Sequence, residues 1–112
     1  MYDVNYFIKK FEAIPDEKWV IGDFDGPNES HCAAGHCGMN RIFGKSGIWP
    51  REYKALFELF RPIGIAIPVI NDEKTHRYQQ ETPKQRILAA LYDIREETIK
   101  PIKAEQKQEV MC

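Results

Sequence analysis

Apolar residues recur at helical spacing in three stretches of this chain. Phe7, Ile8, Phe11 and Ile14 follow Asp3, a residue suited to cap a helix, and Pro15 stops the run. Tyr53, Leu56, Phe57 and Phe60 fall on one face of a second helix that Pro62 follows. Ile87, Leu88, Leu91 and Ile94 form the stripe of a third. Its start is signalled by Thr82-Pro-Lys-Gln85, which offers a capping hydroxyl, a proline at the first helical position and a glutamine able to reach back.

Between these stretches the pattern is less regular. Trp19 to Phe24 mixes β-branched and aromatic residues and runs into Asp25-Gly-Pro-Asn28, so a short strand or extended piece ending in a turn is expected. Ser30 is placed to cap a helix over Cys32 to Phe43, closed by Gly44. Gly35 and Gly38 weaken that helix by about 1 kcal/mol each relative to alanine, which implies that another part of the chain comes close there. Ile63 to Ile70 has strand-like content, but Pro68 restricts it to an edge or an extended wrap. Asn71 to Gln80 reads as the longest loop. The sequence thus predicts a mainly α single domain over residues 1–100, with about four helices and one or two short extended segments. An α+β arrangement is the alternative, and residues 101–112 are expected to form a flexible tail.

Composition narrows the classes of function. The 112 residues are 43% hydrophobic and 29% charged, near the globular average. Sixteen basic and seventeen acidic residues leave a net charge of −1, which gives no support to nucleic-acid binding through phosphate neutralisation. The longest largely apolar run, Ile63 to Ile70, is far short of the roughly 20 residues a membrane helix requires. The start of the chain lacks the basic and apolar regions of a signal peptide. The three cysteines are an odd number, two of them within one expected helix, so reduced thiols and a cytoplasmic setting are expected.

The chemistry the chain could perform is concentrated in Ser30-His-Cys-Ala-Ala-Gly-His-Cys-Gly38, which holds two of the three histidines and two of the three cysteines. Cys32 and His36 lie four apart and share a helical face, as two metal ligands would, although two ligands alone do not make a site and no cofactor is otherwise implied. Alternatively, Cys32 at a helix start would act as a nucleophile with His76 as base and Asn71 or Asp72 orienting the imidazole. The packing alternative is a small buried thiol and a hydrogen-bonded histidine. The aromatic residues Trp49, Tyr53, Phe57 and Phe60 read as core, and Asp23 and Asp25 as solvated.

Trp19, the Cys32-Ala-Ala-Gly35 helix start, Val69-Ile-Asn-Asp72, Thr75 and the Ile87-Leu-Ala-Ala-Leu91 helix together resemble an uncharacterised family of small bacterial and phage domains. The resemblance covers about two thirds of the chain. It implies a mostly helical single domain and places the Asn71–Asp72 turn near the Cys32 helix start, and it carries no activity. With no complete catalytic motif in view, the expected function is a non-enzymatic accessory or interaction domain. Its partner would be a protein, such as a host protein of a phage, or a second copy of the chain, and neither nucleic acid nor membrane. A thiol-dependent enzyme using Cys32 and His76, or a metal-binding domain using Cys32 and His36, is the alternative.

Overall fold

The computed structural model describes residues 2–96, and the expected tail at 101–112 lies outside them. The described chain is mainly helical, with six α-helices and no strand longer than a single bridge.

Helix α1 (Val4–Glu12) forms as its pattern predicts. The Asp3 carboxylate accepts from the Tyr6 amide at 2.8 Å, and Phe7, Ile8 and Phe11 are buried. A 3-10 turn at Asp16–Lys18 follows Pro15. The next segment, expected as a strand or extended piece, is extended but never becomes a strand. It is pinned at two points, where Trp19 and Asp25 each make an isolated bridge to His31. Gly22, at φ +81°, bends the chain between them.

The helix expected over Cys32 to Phe43 is in fact two. Helix α2 (Ala33–His36) is a single turn, and α3 (Arg41–Ser46) follows after a break. Gly38 takes φ +91°, which no continuing right-handed helix can hold. Asn40 then begins the second helix by accepting from the Phe43 amide at 3.0 Å. The caps differ from expectation as well. Ser30 turns its hydroxyl back to the Pro27 carbonyl, Cys32 occupies the N-cap position of α2, and Gly47 rather than Gly44 closes α3.

Helix α4 (Arg51–Phe60) buries Tyr53, Leu56 and Phe60, while Phe57 stays partly exposed against Trp49. The expected extended segment at 63–70 is overturned. Ile63 ends a 3-10 turn (Arg61–Ile63), and helix α5 (Ile67–Asp72) starts four residues later. Pro68 sits in the first turn of α5, where its missing N–H has no intrahelical partner to lose, so a residue that argued against a central strand is compatible with a helix start. Asn71 and Asp72 therefore belong to α5, and the loop begins after them.

Helix α6 (Pro83–Glu96) begins with the expected Thr82 cap, whose Oγ1 accepts from the Gln85 amide at 3.1 Å. It is the spine of the domain: α1, α4 and α5 all pack on it, and α2 packs between α5 and α6. Phe7, Phe11, Leu56, Ile70, Ile87 and Leu91 are fully buried in one continuous core. Two consequences matter for the site. The Cys32 helix start rests on α5, and the extended segment 19–25 closes over it.

Candidate functional site

The geometry around Cys32 is set by Asn71, a side chain with no exposure at all. Its Oδ1 accepts from the Ala33 amide at 3.0 Å, one of the N-terminal donors of α2 that lack a partner within the helix. Its Nδ2 donates to the Val20 carbonyl at 3.0 Å and to Asp72 Oδ1 at 2.8 Å. One amide thus joins α5, α2 and the extended segment 19–25. A buried polar group in this position is retained because each of its atoms has a partner.

Arg86 performs the same service at the same end of α5. The residue is 4% exposed, and its guanidinium donates to the carbonyls of Ile70 (2.8 Å), Asn71 (2.7 Å) and Gln80 (2.8 Å). These include carbonyls of the last turn of α5, which end the helix without intrahelical partners. Burial lowers the pKa of Arg86, and the Asp72 and Glu81 carboxylates oppose that shift. Sequence reasoning missed this residue. The signal available was its i, i+4 relation to Ala90, which places an arginine on the inward side of α6.

The cysteines are arranged for packing. Cys32 is 8% exposed, and its sulfur accepts from the Gly35 amide at 3.4 Å. The oriented amides of α2 lower its pKa as expected of a helix start. Desolvation outweighs them and the Asp72 carboxylate adds to it, so the net shift is upward and the thiol form is favoured. Cys37 is fully buried, and desolvation, reinforced by Glu52, pushes its thiol up to about 12. Both thiols are free.

The histidines are held by backbone groups and by each other. His36 Nε2 lies 3.0 Å from the Lys18 carbonyl, which can only accept, so the proton sits on Nε2. Its ring packs edge-on to Trp19 and His31. His31 Nδ1 lies 2.8 Å from Asp25 Oδ1 and 3.2 Å from the Phe24 carbonyl. Desolvation, with a further contribution from His31, depresses the His36 pKa from 6.5 to about 4. In the unfolded chain His36 takes up a proton near pH 6.5 and in the folded protein only near pH 4, so the unfolded state binds more protons between these values. Folding stability should therefore fall as pH is lowered from about 6.5 to about 4. Urea titrations at several pH values check this, and in His36→Gln this part of the slope should be lost.

Asn71 and Asp72 do lie beside the Cys32 helix start, where the Asn71 Oδ1 accepts from Ala33 and both Nδ2 hydrogens are taken by Val20 and Asp72. His76 is exposed in the loop after α5 and does not line the pocket that Cys32 and Asp72 share. Cys32 and His36 are both on the short α2 turn, yet the His36 Nε2 proton is directed at a carbonyl. Among the described residues no three His, Cys, Asp or Glu side chains come together as a metal ion would require.

The pocket itself has a volume of about 350 Å³. Phe24, Cys32, Pro68 and the backbone of Gly22 give it apolar walls, and Asp72 stands among them. At its mouth Arg41 Nη2 pairs with Asp23 Oδ2 at 2.8 Å, and that guanidinium, followed by the Phe24 amide, lowers the Asp23 pKa. Sequence reasoning took Asp23 as solvated and did not single out Arg41. Phe24 and Arg41 belong to segments separated by the α2 turn, and no local pattern joins them.

No family model, curated protein or solved structure matches this chain. The resemblance to the uncharacterised small-domain family stands on its short motifs alone. No described helix is long and apolar enough to cross a membrane.

Proposed function

We propose that this protein is a small non-enzymatic protein-interaction domain, working in the cytoplasm of a bacterium or on behalf of a phage. One observation carries the reading. Large aliphatic side chains stand exposed on the segments that build the pocket: Ile42 is 77% exposed, Ile21 55% and Val69 39%. Each is the chain neighbour of a residue in the pocket wall, namely Arg41, Gly22 and Pro68. Single exposed aliphatic residues are ordinary, but several on the segments that build one concavity fit a surface that another molecule covers. The groups able to do chemistry support the same reading, since both thiols are buried and disfavoured as thiolates and His36 is tied to the backbone. The bacterial or phage setting rests on the motif resemblance, and the cytoplasmic one on free cysteines.

The test is affinity capture from a native lysate with the wild-type chain and with Ile42→Asp, alongside sedimentation of each alone. The wild type is expected to retain a protein, or to self-associate, and the variant to do neither. A wild-type chain that stays monomeric and retains nothing contradicts the reading.

A further inference from the structure

Resting on that reading, we infer that the Phe24–Asp72 pocket receives the side chain of a lysine or arginine presented by a partner protein between apolar neighbours. Asp72 Oδ1 accepts from Asn71, and among the described residues no ion pair reaches its carboxylate. Arg86 feels its charge from behind but directs its guanidinium nitrogens at carbonyls. Within the wall Asp23 is already matched by Arg41, so Asp72 is the lining carboxylate with no ion pair among the described residues.

The remaining wall is apolar. Phe24, Pro68 and the buried Cys32 thiol suit a hydrocarbon stem, while Asp72 suits a cation at its end. Lysine and arginine combine those two features, since their stems lie along apolar surface and their charged heads seek an anion or water. A carboxylate ligand would face Asp72, since Arg41 is already paired with Asp23, and a purely aliphatic one would take water from Asp72 and offer no cation in return. The volume of about 350 Å³ lies at the lower end of ordinary ligand pockets and accommodates one long side chain with part of its backbone. Ile21, Ile42 and Val69, exposed on the segments that build the pocket, are the apolar side chains available to residues on either side of the inserted one.

The experiment is an amide-shift titration of the full chain with a short peptide carrying lysine between two leucines. Matched peptides carrying norleucine or glutamate at the centre serve as comparisons. The lysine peptide is expected to shift the amides of Gly22, Phe24 and Cys32 and to bind more tightly than either comparison. Asp72→Asn, which keeps an oxygen able to accept from Asn71, should weaken it by about fivefold, and Arg41→Glu should tighten it by about threefold. Arg41 is exposed, so the second variant tests the charge argument independently of any part Asp72 plays in folding. Equal binding of the norleucine peptide, or affinity unmoved by both substitutions, overturns the inference. If a protein is captured from lysate while the lysine peptide fails, the pocket assignment falls alone, whereas absence of any captured protein counts against the interaction reading itself.

Discussion

Replacing Asn71 with leucine, which has the same branching and number of heavy atoms, is expected to destabilise the protein by about 3–5 kcal/mol, a large share of the roughly 5–15 kcal/mol available to a domain of this size. The cost follows from what the amide does. Its Oδ1 satisfies the Ala33 N–H and its Nδ2 satisfies the Val20 carbonyl, and leucine leaves both groups inside the protein without a partner. An unsatisfied buried donor or acceptor costs about 1–3 kcal/mol, and here two arise at once. The loss should appear as a lower urea midpoint with an unchanged slope. A change of under about 1 kcal/mol would mean that the α2–α5 junction does not depend on this side chain.

Gly35→Ala is the second large effect, and its sign is opposite to the usual one. Alanine in place of a helical glycine ordinarily stabilises by about 0.5–1 kcal/mol. Here the added Cβ would sit 2.1 Å from the Phe24 carbonyl oxygen and 3.0 Å from the His31 Cβ. The first neighbour is backbone and cannot rotate away, and it is also held to His31 Nδ1. Either α2 must move off the extended segment or the segment must lift, and a loss of about 2–3 kcal/mol is expected. Thermal unfolding measures it directly, and a variant as stable as the wild type would show that the two segments are not in this contact.

These two positions show how much the sequence revealed. The unusual glycine content of 30–38 pointed to close approach, and at Gly35 that is what the fold contains, though nothing local said that Phe24 would be the neighbour. Helices α1, α4 and α6 were legible because each carries an uninterrupted apolar stripe with a start signal, a stop or both. The two failures were of another kind. A left-handed Gly38 and the capping Asn40 divide one apparent helix, and Pro68, weighed as a strand residue, turned out to open α5. In both, short-range signals admitted two structures and packing selected one.

The candidate site was partly legible. Cys32, Asn71 and Asp72 were singled out and do lie together, where the Asn71 amide bridges two helix ends and the Cys32 thiol accepts from Gly35 beside it. Arg86 was hidden because an arginine inside an apolar helix reads as a surface residue until its carbonyl partners are known. The pocket was hidden because its walls come from four separate segments, at residues 22–24, 32, 41 and 68–72.

At the centre of this account is the claim that the thiols and imidazoles around residue 32 hold the fold together and perform no reaction. Alkylation kinetics at pH 7 test it most directly, with the adducts on Cys32 and Cys37 followed by mass spectrometry in the folded protein and again in urea. Burial and the upward-shifted thiols predict that both residues react far more slowly when folded than when unfolded. A folded Cys32 that reacts faster than the unfolded one would be an activated nucleophile, and the account would be wrong.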